Sequence, residues 1–179
     1  MTEQISVVLN EVEVNRALVR MTHEILERNK GVENLVIVGI KTRGEFLAKR
    51  LAATIEKLEG KSVPIGALDI TMHRDDLALR AEVPRVQETE IPFEIDEKTM
   101  VLVDDVLFSG RSTRAALDEL IDFGRPAQIW LAVLVDRGHR ELPIRADFVG
   151  KNIPTRKNES IRVHVKEVDQ EDAVLLVKK

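Results

Sequence analysis

Cysteine and tyrosine are both absent from the 179 residues. Without cysteine there are no disulfides and no thiolate metal sites. With one Trp and five Phe, the chain lacks the material for an aromatic platform on which single-stranded nucleic acid stacks. No apolar run approaches the roughly 18 residues needed to span a bilayer. The start, Met1-Thr2-Glu3-Gln4-Ile5, is polar and acidic and does not read as a secretory signal. These features predict a cytoplasmic protein with no membrane partner. His23, His73, His139 and His164 show neither metal-ligand spacing nor the company of a nucleophilic triad. The net charge of −4 gives no overall attraction to nucleic acid, although an average can hide a basic face.

What remains is enough for one domain, residues 1–179, with a sizeable core. At 44% hydrophobic and 32% charged residues, the composition is that of a globular chain rather than a disordered one. The organising stretch runs from Val101 to Thr113. Met100 to Val103 is a short continuous apolar run, as expected of a strand covered on both faces. Asp104 and Asp105 follow at the expected strand end, then a loop rich in hydroxyls (Ser109, Ser112, Thr113) with Gly110 and Arg111. A helix is predicted over Arg114 to Phe123, with Ala115, Leu117, Leu120, Ile121 and Phe123 as candidate buried residues. The start of a helix presents unpaired N–H groups and the positive end of its dipole, a natural seat for phosphate. Carboxylates repel that phosphate, so Asp104 and Asp105 suit a neighbouring sugar diol or a Mg²⁺ ion. The alternative is a plain turn in which the acids cap the helix.

In chain order, residues 5–9 begin extended. Val14, Ala17, Leu18, Met21, Ile25 and Leu26 recur at helical spacing within 11–29, and Gly31 is placed to cap that helix. Strands are predicted at 35–38, 63–70 and 128–135, and a second amphipathic helix at 45–58. Residues 161–165 and 173–177 read as short late strands at sheet edges. Alternation of strands and helices predicts an α/β fold with a mainly parallel central sheet. Ligands of such sheets bind at the carboxyl ends of the strands, which draws the loops after Val38, Ile70, Val103 and Val135 to one crevice.

Each loop admits two readings. Gly39 to Gly44, with Lys41, Thr42 and Arg43 between the glycines, suits close approach to a pyrophosphate, or is a basic surface loop. The polar span around 72–91 is either a lid carrying Arg74, Asp75 and Asp76 to a substrate or a solvated, salt-bridged loop. Phe148 and Val149 either stack on and read a flat base, or fill the core.

Taken together, Asp104-Asp105 and Ser109-Gly110-Arg111-Ser112-Thr113 resemble the signature of type I phosphoribosyltransferases. The remaining blocks narrow the resemblance to a bifunctional subfamily that pairs pyrimidine operon regulation with uracil phosphoribosyl transfer. They are Arg16-Ala17-Leu18 with His23-Glu24, the 39–44 loop, Asp69-Ile70-Thr71 with Arg74-Asp75-Asp76-Leu77, and the long run 134–155. Ser109 and Ser112 stand where that subfamily usually has Thr, and His73 where Tyr is common.

The resemblance implies the type I phosphoribosyltransferase fold with a flexible lid. It implies conversion of uracil and phosphoribosyl pyrophosphate (PRPP) to UMP and pyrophosphate, with Mg²⁺ held mainly by PRPP near Asp104 and Asp105. It also implies UMP- or UTP-dependent binding to the leader mRNA of the pyrimidine operon, promoting transcription termination, and a homo-oligomer, a dimer or larger. On this reading Asp104, Asp105 and Arg74 are catalytic. Lys41, Thr42, Arg43 and the 109–113 loop bind PRPP or UMP together with the two aspartates, and Phe148 and Val149 bind the base. Between Arg137 and Lys157 six basic residues face two acidic ones, which with the first helix makes Arg20, His23, Arg140, Arg145 and Lys151 an RNA face. Those charges otherwise serve PRPP and a dimer interface. Two other functions compete: a plain uracil or hypoxanthine-guanine salvage enzyme without an RNA role, and a nucleotide sensor without turnover.

Overall fold

The computed structural model describes residues 3–75 and 86–178. The first helix, α1 (Glu11–Asn29), follows strand β1 (Gln4–Leu9) and begins with a reciprocal capping box. The Asn10 side chain accepts the Glu13 N–H at 3.0 Å, and the Glu13 carboxylate accepts the Asn10 N–H at 2.9 Å. At its other end Lys30, not Gly31, takes the left-handed residue of a Schellman cap. Gly31 is the next residue and donates to the Leu26 carbonyl at 3.0 Å. All six apolar residues of the helical pattern are buried.

Strand β2 (Leu35–Ile40), helix α2 (Arg43–Glu59), strand β3 (Ile65–Leu68) and a 3₁₀ turn at Thr71–His73 lead to β4 (Thr99–Leu107). Helix α3 (Arg111–Leu120), β5 (Gln128–Asp136) and β6 (Phe148–Asn152) follow. The chain ends in β7 (Glu159–His164), the short α4 (Lys166–Asp169) and β8 (Ala173–Lys178). Five strands form a wholly parallel sheet in the order β3-β2-β4-β5-β6.

Both faces of this sheet are covered. Leu35, Ile37, Val101, Val103, Ala132 and Leu134 pack toward α1 and α2. Their alternates Val36, Val38, Met100, Leu102, Leu131 and Val133 pack toward Ala115, Ala116 and Leu120 of α3. That two-sided burial explains why the strands read as continuous apolar runs. It contributes about 1.5–3 kcal/mol per large side chain removed from water.

The late strands are not edges of this sheet. With β1 they form a separate antiparallel sheet, order β1-β8-β7, whose Val163 and Val174 join the α1–α2 core. Helix α3 starts three residues earlier than its apolar spacing indicates and stops at Leu120. Ile121 and Phe123 are therefore exposed and Leu117 is half-buried, while Ala116 fills the core position. No helix among the described residues is long and apolar enough to cross a membrane.

Candidate active site at the switch point of the sheet

From β2 the chain crosses through α2 to β3 on one side, and from β4 it crosses through α3 to β5 on the other. The carboxyl ends of β2 and β4 therefore flank a topological switch point, where open α/β sheets bind ligands. Pairing of β2 with β4 ends at Gly39–Val103, yet β4 continues beside β5 through Asp104–Val133 to Leu107–Asp136. Asp104 and Asp105 thus lie within the strand, not at its end, on the side its neighbour has just left.

The glycines of the 39–44 loop serve that geometry. A Cβ on Gly39 would meet the Gly44 carbonyl at 2.3 Å, and one on Gly44 would meet the Val103 carbonyl at 2.5 Å. They let the start of α2 lie against β2 and β4. They allow backbone to approach backbone, and the close approach assigned to an anion on sequence grounds is taken by the protein itself. The Lys41–Thr42 peptide bond is cis.

Two joined cavity lobes, of about 390 and 270 Å³, open here. The larger is lined by Phe108, Ser109, Gly110, Arg111, Ser112 and Thr113 among others; the smaller by Lys41, Thr42, Arg43, Asp69 and Asp105 among others. Arg74, Asp104, Val106 and Ser112 border both. The structure thus brings together every residue assigned from sequence to catalysis and to PRPP.

Burial, and then the charge of Asp105, push the Asp104 carboxyl well above the usual carboxylate range, against the opposing pull of the Arg74 guanidinium. Asp104 accepts the Asp105 N–H at 2.9 Å, and Asp105 accepts the Val106 N–H at 2.8 Å.

At the 109–113 end, Gly110 has φ 93° and gives α3 no side-chain cap; the Ser109 hydroxyl accepts the Arg111 N–H at 3.3 Å, and the first turn holds no acidic residue. Its N–H groups and the positive end of its dipole face the larger lobe. The loop is backed by residues 141–144. The Ser109 carbonyl accepts N–H groups from Glu141 at 2.9 Å and Leu142 at 3.1 Å, and a Cβ on Gly110 would touch Ile144 at 3.2 Å. Arg111 reaches Glu141 at 2.7 Å and Asp75 at 2.5 Å. Asp75 therefore braces Arg111; Asp76 and most of the expected lid lie outside the described residues.

The stems flanking 76–85 are tied to the site. His73 places its Nε2 2.5 Å from Glu119 Oε2 on α3, and its carbonyl accepts from Arg114 at 2.9 Å. This is a structural role for a histidine whose sequence context gave none. On the other stem the Asp69 carboxylate accepts the Gln87 N–H at 2.5 Å, and Lys41 Nζ donates to the Glu88 carbonyl at 2.6 Å. Arg43 forms a fork with Asp169 of α4, at 3.0 and 2.7 Å. That bond holds the Asp169 carboxyl below its ordinary value.

Three assignments are corrected. Phe148 is 3% exposed and packs edge-on to Trp130 at 5.9 Å, because the alternation of β6 points it into the α1-side core. Val149 packs against the opposite core, and its carbonyl accepts from Arg20 at 3.3 Å. Neither lines the lobes, so neither reads a base there. Arg140 is half-buried, with its guanidinium on the carbonyls of Ile144 and Phe108 and on Asp136, at 2.9, 2.7 and 2.5 Å. It organises the 136–144 loop and is not an RNA-facing cation.

Of the other basic assignments, Arg20 sits half-exposed at the free edge of β6, also bonded to the Gly150 carbonyl at 2.5 Å. His23, Arg145 and Lys151 are exposed.

Sequence reasoning missed Arg137 and Phe108. Arg137 is 8% exposed; it donates to Thr155 Oγ1 at 3.0 Å and to the Glu159 carbonyl at 2.7 Å, and lies 4.1 Å from the centre of the Phe108 ring. Burial lowers its pKa. The available signal was its place directly after β5, at a strand end that faces the crevice. Among the described residues no cluster of three or more acidic, histidine or cysteine side chains forms a metal cage. The carboxylates of Asp104, bordering both lobes, and Asp105, bordering the smaller, are oxygen donors of the kind that would fit a Mg²⁺ ion.

The parallel sheet, the switch-point carboxylates and the open start of α3 define a phosphoribosyl transferase domain, and the model of that domain family matches residues 8–168. The Bifunctional protein PyrR of Thermus aquaticus is 61% identical over 171 residues, covering 96% of this chain and 94% of its own. That of Bacillus cereus strain AH820 is 58% identical over 176 residues, covering 97% and 98%. The chain belongs to the bifunctional PyrR family of phosphoribosyl transferases. Among solved structures, the hypoxanthine phosphoribosyltransferase of Trypanosoma cruzi matches with a TM-score of 0.72 at 16% identity, covering 97% of this chain and 96% of that one. The Staphylococcus aureus enzyme of the same name matches at 0.70 and 19%, covering 97% and 92%. At such identity the likeness is one of fold.

Proposed function

We propose that the protein transfers the phosphoribosyl group of PRPP to uracil, and that the UMP-occupied site makes it a regulator that binds pyrimidine operon leader mRNA. The observation that carries the transferase half is the convergence of the 109–113 loop, Asp104, Asp105 and Lys41 on one two-lobed cavity.

Bond exchange at the anomeric carbon builds positive charge on the ribose and negative charge on the departing pyrophosphate. No protein nucleophile is needed; orientation and electrostatics supply the acceleration. The open N–H groups and hydroxyls of Ser109 to Thr113 hold the 5′-phosphate. Asp104 and Asp105 take the ribose hydroxyls, and their negative charge favours the developing cation. Asp105 also serves as acceptor for the proton leaving the base. Lys41, Thr42, Arg43 and Arg74 face the pyrophosphate. Mg²⁺, when bound on PRPP beside the two aspartates, neutralises leaving-group charge.

In-line displacement sets the entering base opposite the pyrophosphate lobe, beside Val106 and Phe108, with Arg137 backing the Phe108 ring. This seat replaces the one expected at Phe148 and Val149. A base-specificity assay with uracil, hypoxanthine and guanine tests the reading. UMP is the expected product, and preferred turnover of a purine would contradict it.

For RNA, Arg20 on α1 bonds the Gly150 carbonyl next to Lys151 on β6; exposed His23 is on the same helix and Arg145 in the loop before β6. A local basic face on an acidic body suits folded RNA contacted through phosphates and shape. The protein acts in the cytoplasm as a homo-oligomer.

A further inference from the structure

Arg43 borders the smaller lobe, yet its guanidinium is already bound. Asp169 of α4 holds it in a fork, accepting from Nε at 3.0 Å and from Nη2 at 2.7 Å. The Asp169 carboxylate does not depend on Arg43 for its place. It also accepts the Val165 N–H at 2.8 Å, and the Asp169 N–H donates to the Val165 carbonyl at 2.7 Å. Val165 is itself fully buried. Arg50, about two turns further along the same face of α2, fastens the same short helix through Glu167 and the turn behind it through Asp172. The carboxylate is therefore the anchor, and the guanidinium is what it holds. A two-point fork fixes both the position and the plane of an arginine head group. The hydrogen bond to Asp169, and then the charges of Asp169 and Asp105, hold the Arg43 pKa above its usual value against the cost of burial. Asp105 is thus a second carboxylate within electrostatic reach, and the fork decides which of the two the guanidinium joins.

We propose that Asp169 is a positioning residue of the transferase site: it holds Arg43 ready at the smaller lobe, so that the pyrophosphate end of PRPP meets a guanidinium already in place. The inference rests on the transferase reading above. The fork uses Nε and Nη2 and leaves the other guanidinium donors for an anion. A long side chain ordered before its ligand arrives no longer charges that ordering to binding. Asp169 lines neither lobe, so it acts through Arg43.

The test measures kcat and the KM values for PRPP and for uracil in the wild type, Asp169→Ala and Glu167→Gln. In Asp169→Ala the KM for PRPP should rise about 3–10-fold, with kcat and the KM for uracil within about twofold of wild type. Glu167→Gln weakens a tie of the same helix to Arg50, so it should lower Tm and leave the KM for PRPP unchanged. An equal rise in Glu167→Gln, or an unchanged or lowered KM in Asp169→Ala, overturns the inference while leaving the transferase reading intact. Calorimetric titration with PRPP closes a cycle: in an Arg43→Ala background, Asp169→Ala should add no further loss of affinity, and an added loss overturns the inference. Should Asp169→Ala fold poorly, Asp169→Asn, which keeps the shape and removes the charge, reads the same comparison. Wild type that makes no UMP overturns the transferase reading and the inference together.

Discussion

Burial beside Asp105 makes the ionised form of Asp104 costly, and its pKa is raised accordingly. For an acid with a raised folded-state pKa, the stabilising contribution is complete below the unfolded value. It is lost as pH rises through the folded one. At neutral pH the wild type therefore bears the cost of this site, and Asp104→Asn, an uncharged isostere, should raise Tm by at least about 2 °C. That advantage should vanish as pH falls toward about 4, the ordinary Asp value. Thermal unfolding of both proteins across pH 4–8 measures it. The same charge is wanted in the reaction: Asp104→Asn with Asp105→Asn should lose at least ~100-fold in turnover, and a near-normal rate would remove both residues from transition-state stabilisation. Arg140 and Arg145 separate on similar grounds. Arg140→Ala should weaken uracil turnover and RNA binding together, because it loosens the loop that backs Phe108 and Ser109. Arg145→Glu should weaken RNA binding alone.

Among elements, α4 and the turn before β8 are tied to α2 by charge, beside the apolar contacts of Val163 and Val174. Arg50 reaches Glu167 at 3.0 and 2.6 Å and Asp172 at 3.0 and 2.8 Å. The Glu167 carboxyl is drawn below its usual value by Arg50; that of Asp172, which burial alone would push up, is also drawn down by Arg50. Both contribute stability that is present above the unfolded carboxylate pKa and is lost as pH falls through the folded one. Arg50→Leu should cost about 2–3 kcal/mol, or about 4–12 °C in Tm, and should flatten the acid side of the stability curve. Calorimetric scans at neutral and acid pH check both.

The helices and buried strands were legible in sequence because their periodicities are local: the α1 stripe and the apolar runs of β2, β4 and β5 all recur in the structure. Where β4 ends was not legible. It continues past Val103 because β5 still pairs with it, a property of another strand. Nor was the second sheet, whose β1 and β8 come from opposite ends of the chain. Phe148 followed the same rule: strand alternation decides its face, and only the position of α1 shows that this face is core. The aspartates and the phosphate loop were legible because adjacent residues build them. The Phe108–Arg137–Thr155 seat was not, because three distant segments do.

Across the whole molecule, a net charge of −4 coexists with exposed basic residues at α1, β6 and the loop between β5 and β6. If RNA phosphates meet that face, Arg145→Glu with Lys151→Glu should shallow the slope of log affinity against log salt by roughly 1–2 units while UMP formation is unchanged. Filter binding at several salt concentrations, beside a turnover assay, separates this from a general loss of structure. The two-lobed cavity and the proposed RNA face are joined by the 136–147 segment, which contacts Ser109 and Arg111 at one end and, through Asp147, Arg28 of α1 at 2.7 Å. One site serving as both catalyst and sensor is the central claim. Its most direct test is the affinity of the wild-type protein for pyrimidine operon leader RNA, measured with and without saturating UMP. Tighter binding with UMP, abolished by changes at Arg145 and Lys151, is the predicted result; equal affinity with and without UMP would contradict it.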